Sequence, residues 1–183
     1  TLPIQRVNEA CEKILKAKFK LGLFENRTVD LKAIPKKIFT AEHQQVALET
    51  ARKGIVLLKN QNLLPLNKIE DKKRILVTGP NANNQTILGD WHAEQPDENV
   101  STIFEGIKAL GSKKGYEVVY HNSGESIRKI NSDDIDRTVK KAKGFDYVVL
   151  VVGDNSMRYK WRDKTAGENM GRAALDLPGK QLE

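Results

Sequence analysis

Apolar residues at Ile4, Val7, Cys11, Ile14, Leu15 and Phe19 recur at the three- and four-residue spacing of an amphipathic helix, with Leu21-Gly22 as its stop. The stripe is wide and nothing nearby in sequence can cover it, so it is expected to pack on another surface, a following domain or a neighbouring chain. Phe24-Glu-Asn-Arg27 and the stretch to Phe39, broken at Pro35, show little periodicity and predict an extended linker. Thr40 can cap a second helix from Ala41 to about Val56, with Val46, Ala47, Ala51 and Ile55 facing inward.

Beyond residue 74 the pattern changes. Ile75-Leu-Val-Thr78 predicts a short buried strand ended by Gly79-Pro80. Thr102 and Glu105 have the spacing of a capping box and open a helix to Leu110. Tyr116–Tyr120 predicts a second strand, Asp133 or Asp134 opens a helix through Ala142, and Tyr147–Val152 predicts a third strand. That last run is apolar on both faces, as a central parallel strand would be. Strand, helix, strand, helix, strand predicts a parallel sheet with right-handed crossovers, and thus sites beyond the carboxyl ends of its strands. Two long irregular loops, about 79–100 and 153–175, leave that edge and are too long to be mere connectors.

Composition narrows the function classes. No apolar run approaches the roughly 18 residues of a membrane helix, so no membrane partner is expected. The opening Thr-Leu-Pro-Ile-Gln-Arg-Val has no signal-peptide pattern. Cys11 is the single cysteine, which excludes an internal disulfide or a multi-Cys zinc site, and its place on the apolar stripe predicts a buried thiol. The net charge of +7 is uneven: residues 1–74 carry a balance of +8 and residues 75–183 one of −1. The excess includes Lys13, Lys16, Lys18, Lys20, Lys36, Lys37 and the run Lys72-Lys73-Arg74, which alternate with apolar residues at helical spacing or sit in short linkers, so no nucleic-acid partner is expected.

The second loop carries the chemistry. Asp154, Asp163, Glu168 and the following Asp176 offer carboxylates beside the aromatics Tyr159 and Trp161. Glycoside cleavage uses such a set: one carboxyl protonates the leaving oxygen, a second attacks or activates water, and flat rings cover the apolar face of a sugar. The same residues also suit a plain surface loop, with Glu168 pairing Arg172 at i+4 and the two aromatics anchoring the backbone. Trp91 reads as packing, and His43 and His121 as surface positions of a helix and a strand. His92-Ala-Glu94 lacks the cysteine pair of a zinc deaminase, and Gly79-Pro-Asn-Ala-Asn lacks the spacing of a phosphate loop, so no metal or cofactor is called for.

Several motifs resemble one family in its own order. Ala51-Arg-Lys-Gly-Ile-Val-Leu-Leu-Lys-Asn60 followed by Leu63-Leu-Pro-Leu66 resembles the opening of the second domain of glycoside hydrolase family 3. Gly79-Pro-Asn-Ala82 with Leu88-Gly-Asp-Trp91 is similar too, and Arg172–Gln181 resembles the family's Arg-x-x-Leu-x-Leu-Pro-Gly-x-Gln signature. Ile14–Phe24 resembles the last helix of the family's first, barrel domain. The resemblance runs from about residue 6 to 181.

It implies a three-layer αβα sandwich with a mostly parallel sheet, cut short. Residues 1–40 would be the last helix of a missing TIM-like barrel plus linker, and residues 41–183 the first part of the sandwich. It further implies a retaining exo-β-glycosidase, chiefly a β-glucosidase, acting on terminal β-linked sugars. The Asp nucleophile and most sugar contacts would lie in the barrel. The sandwich would supply the acid/base from a Glu-Gly-x-Asp-Arg-like stretch, which here reads Glu168-Asn-Met-Gly-Arg172 with Gly171 where Asp is usual. Glu168 thus becomes the candidate acid/base, and Trp161, Tyr159 and Arg172 the candidate substrate contacts. The expected partners are a β-linked oligosaccharide or glycoside, the barrel, and possible pairing as a homodimer, in a periplasmic or secreted setting. A carbohydrate-binding or interaction domain that kept the fold without the chemistry is the alternative. Without its barrel the 153–175 loop is expected to be poorly ordered.

Overall fold

The computed structural model describes residues 2–66, 73–124 and 126–183, so Lys72 of the basic run lies outside the described residues. The chain divides after Asn62 into two compact units. That break falls beyond the 40/41 boundary drawn from sequence.

The first unit holds α1 (Ile4–Lys20), a 3-10 turn (Leu31–Ala33), α2 (Ile34–Lys37) and α3 (Ala41–Gly54). The stretch expected to be an extended linker therefore contains two helical turns. Asp30 caps the first by accepting from the Lys32 N–H at 2.9 Å, and Pro35 sits in the first turn of α2, where its missing N–H costs nothing. Thr40 caps α3 as expected, its Oγ1 accepting from the His43 N–H at 3.3 Å. Within this unit the apolar stripes are not covered. Neither α1 nor α3 has a buried residue. Val7, Ile14 and Phe19 are 42%, 59% and 63% exposed, and Cys11 is exposed with them. Val46 and Ile55 are open as well, and α3 ends at Gly54 before reaching Ile55.

The second unit is built on β1 (Arg74–Thr78), β2 (Glu117–Tyr120) and β3 (Tyr147–Leu150), all parallel in the order β2-β1-β3. Ile75 stands opposite Val118 on one side and Tyr147 on the other; Val77 stands opposite Tyr120 and Val149. β1 is therefore the central strand, and Ile75, Leu76, Val77 and Thr78 are all buried. The expectation that the third strand is central is corrected: β3 is an edge, with Val148 and Leu150 exposed in alternation with half-buried Tyr147 and Val149. Its two apolar faces are real, but only one is covered.

On that side lies α4 (Ile103–Lys113), whose Phe104 and Ile107 pack, together with Val118, Tyr120 and Val149, against the buried Ile75, Val77 and Ala82. The expected capping box is formed: Thr102 Oγ1 accepts from the Glu105 N–H at 3.2 Å and Glu105 Oε2 from the Thr102 N–H at 2.9 Å. On the opposite face α5 (Ser132–Ala142) brings Ile135, Thr138 and Val139 beside Leu150 and Val152 around an open cavity. Asn131, rather than Asp133 or Asp134, caps α5. Its side chain accepts from the Asp134 N–H at 3.1 Å while Asp134 returns the bond at 3.0 Å. Asp134 thus takes the third position of the box, which the sequence spacing also permits.

At the carboxyl end of β1 the chain turns through Gly79 at φ +101°. A Cβ there would stand 2.2 Å from the Val151 carbonyl oxygen, so only glycine lets this turn press against the continuation of β3. That contact sets the two long loops side by side.

Candidate active site

The loops after β1 and β3 are stitched together from their roots outward. Asn81 Nδ2 donates to the Asp154 carbonyl at 3.0 Å, next to the Gly79 turn. Gly153 N–H donates to Gln181 Oε1 at 2.8 Å, and Gln181 Nε2 returns a bond to the Gly153 carbonyl at 3.0 Å. The glutamine of the Leu-Pro-Gly-x-Gln run thus ties the end of the second loop to its beginning. Inside that loop Thr165 and Asn155 exchange bonds of 2.7 and 2.8 Å, closing residues 155–165 into a ring. Arg128 donates to the Lys164 carbonyl through Nη2 at 2.8 Å and Nε at 3.2 Å. These contacts within its own unit count against the expectation of a poorly ordered loop, because polar groups paired with one another can hold a segment that has few apolar anchors.

At the centre lies a pair that sequence reasoning assigned no role. The Lys164 side chain has no exposed surface, and its Nζ donates to Asp90 Oδ1 at 2.7 Å and to the Glu168 carbonyl at 2.9 Å. Asp90 Oδ2 accepts from the Glu168 N–H at 2.6 Å. Gly167, at φ +93°, makes room for this approach. Asp90 stood within the Leu-Gly-Asp-Trp run, whereas Lys164 was one cation among several. A lysine between Asp163 and Thr165 carries no sequence signal of burial; only the partner brought from residue 90 makes burial affordable.

Glu168, the acid/base candidate, has a side chain 43% exposed and an ion pair with Arg158. The guanidinium of Arg158 also lies 3.5 Å from Asp90 Oδ1 and 3.9 Å from the centroid of the Trp91 ring, a cation–π contact. Glu168 therefore does not form the i+4 pair with Arg172 that a plain helix-like surface would give. Arg172 instead pairs with Asp154 and donates to the Asp176 carbonyl, which places it in the loop's own scaffold.

The aromatic candidates separate. The Tyr159 hydroxyl lies 3.4 Å from Gln85 Oε1 and 3.2 Å from Met157 Sδ, and its ring meets His92 edge-on at 5.5 Å. Burial, with Glu94 and Asp97 nearby, pushes its pKa above the usual tyrosine value, so it stays a neutral phenol tying the two loops together. Trp161 is 50% exposed, with Lys164 Nζ 5.1 Å from its ring centroid, and keeps a face open. Trp91 is not core packing: it is 77% exposed beyond its contact with Arg158. Among the described residues no group of three or more His, Cys, Asp or Glu can hold a metal ion, and no helix is long and apolar enough to cross a membrane.

The arrangement thus presents a half-exposed carboxylate on a backbone held by an ion pair, flanked by a guanidinium and two open indoles. Comparison with known proteins shows the family. The profile of the glycosyl hydrolase family 3 C-terminal domain matches residues 55–183. A beta-xylosidase of Formosa agariphila is 34% identical over 97% of this chain and 24% of its own length. A beta-glucosidase of Bacteroides ovatus is 32% identical over the whole chain and 25% of its own length. Among solved structures, the beta-glucosidase from Listeria innocua in complex with isofagomine matches with a TM-score of 0.73 and 27% identity, over 98% of this chain and 23% of that one. The chain spans about a quarter of the length of these relatives. From the matched profile, together with relatives more than 30% identical over nearly the whole of it, the chain belongs to glycoside hydrolase family 3, of which residues 55–183 form C-terminal-domain sequence.

Proposed function

We propose that this chain is the acid/base-bearing part of a retaining exo-β-glycosidase that removes terminal β-linked glucose or xylose, with Glu168 as general acid and then general base. The observation that carries the reading is the hold on Glu168: a surface loop places this one carboxylate on a backbone fixed from both sides by Asp90 and Lys164. The names of the relatives, beta-xylosidases and beta-glucosidases, support the substrate class. Trp161 and Trp91, both exposed and lying against Lys164 and Arg158 respectively, would cover the leaving-group sugar, while Tyr159 and Arg172 hold the loops in place. Residues 1–40 would be the end of a preceding barrel and its linker, and the exposed stripe of α1 would be covered there.

A retaining mechanism needs a second carboxyl about 5–5.5 Å from the acid. In this proposal the barrel supplies it as an Asp nucleophile. Glu168 first protonates the departing oxygen, then takes a proton from the water that cleaves the glycosyl-enzyme bond. The test is Glu168→Ala in the complete enzyme. Hydrolysis of an alkyl β-glycoside should slow by roughly 10²–10⁴-fold, the usual share of general acid catalysis. Glycosylation by an activated dinitrophenyl glycoside, whose departure needs no proton, should slow far less, and azide should restore turnover. Equal loss on both substrates with no azide rescue would move the acid/base elsewhere, to Asp163 first. Full activity of the variant would leave a domain that has kept the fold without the chemistry.

A further inference from the structure

We propose that Asp90 and Lys164 are positioning residues for Glu168, a pair that sets where its carboxyl is presented; this rests on the acid/base reading of Glu168. Both polar groups of the Glu168 backbone are taken by the pair. The N–H goes to Asp90 Oδ2 at 2.6 Å and the carbonyl to Lys164 Nζ at 2.9 Å. The two holders are bound to each other at 2.7 Å, which closes a ring through charge-assisted bonds. Such bonds fix direction as well as distance, so the residue is held against tilt and not merely against detachment.

The cost of the arrangement points the same way. Lys164 has lost all its solvent contact and the Asp90 side chain is only 12% exposed. An apolar pair of similar size would hold two loops together at least as well, because desolvating both ions offsets most of their attraction. What an apolar pair lacks is a donor and an acceptor aimed at one peptide. The pair is spent on that single residue, and Arg158 extends it by bridging Asp90 to the Glu168 carboxylate. The whole device comes from two loops, so neither alone sets the position.

The complete enzyme provides the test. Asp90→Asn and the charge-neutral Asp90→Asn/Lys164→Met variant are compared with Glu168→Ala, separately and combined with it. On an alkyl β-glycoside each pair variant should lower kcat by about 10–10²-fold, the usual result of misplacing a catalytic group by about 1 Å, with KM nearly unchanged. Glycosylation by a dinitrophenyl glycoside should fall much less. The loss should vanish once Glu168 is alanine, since residues that act through one group are not additive. If Asp90→Asn alone leaves Lys164 unpaired and does not fold, the neutral double variant carries the same expectation without a buried charge. A pair that only held the fold would slow both substrates alike and multiply the Glu168→Ala deficit; that result overturns the proposal. Should Glu168→Ala be selective for the poor leaving group while the pair variants are not, this proposal fails and the acid/base reading stands. Should Glu168→Ala show no such selectivity, both fail.

Discussion

Replacing Gly167 with alanine adds one methyl group against the Asp90–Lys164 pair of the candidate site. The backbone there has φ +93°, which costs a residue with a side chain about 1–3 kcal/mol. The new Cβ would stand 2.5 Å from Asp90 Oδ2, 2.9 Å from its Cγ and 3.2 Å from Lys164 Cε. The carboxylate is not free to swing away, because it is bound to Lys164 Nζ at 2.7 Å and to the Glu168 N–H at 2.6 Å. Giving up one such charged bond costs about 1.5–3 kcal/mol. Strain and lost bond together predict a loss of about 2.5–6 kcal/mol. Gly171 is the control four residues on: a Cβ there meets nothing within 4 Å and its φ is not in the left-handed region, so alanine should change stability by about 0.5 kcal/mol at most. Denaturant unfolding of the two variants, with midpoints compared at equal slope, measures the difference. In an Asp90→Ala/Lys164→Ala background both close contacts disappear without leaving a buried unpaired charge, and only the strain of about 1–3 kcal/mol should remain. Equal, small losses for Gly167→Ala and Gly171→Ala would refute the reasoning, by showing that Asp90 yields without cost.

Two further outcomes follow from other parts of the chain. The His121 ring, 3.2 Å from Thr138 Oγ1, is held below the usual histidine pKa by burial and by Lys141 and Arg137. The unfolded chain therefore binds the proton more readily, so this stability is full above about pH 6.5 and is lost as pH falls from there toward the lower folded value. His121→Gln should flatten the fall of the unfolding midpoint below about pH 6.5, and an unchanged slope would exclude His121 as its source. Purified residues 1–183 should hydrolyse no aryl β-glucoside or β-xyloside, because a retaining mechanism needs a second carboxyl about 5–5.5 Å away. Asp90, the carboxylate closest to the Glu168 backbone, is committed to Lys164. Steady turnover by this chain would refute the division of the site between two domains.

Local rules made much of the second unit legible. Thr102 with Glu105 marked the start of α4, and the runs around Ile75, Val118 and Val148 marked three strands, because capping and apolar patterning act within a few residues. Spatial order was not legible in the same way. A strand apolar on both faces reads as central, yet β1 holds the centre and β3 lies at the edge, since strand order depends on which partners the crossovers bring and not on a strand's own residues. The stripe of α1 was plain at its spacing, but burial needs a second surface, and in this chain Ile14 and Phe19 remain exposed. Glu168 was singled out by its place before Arg172 in a family-like run, while the pair that grips it was invisible. Asp90 and Lys164 lie 74 residues apart, and each is an ordinary surface residue type. Only the glycine turn that lays the first loop against β3 puts the carboxylate beside the ammonium, and there burial converts two unremarkable charges into the frame around one glutamate.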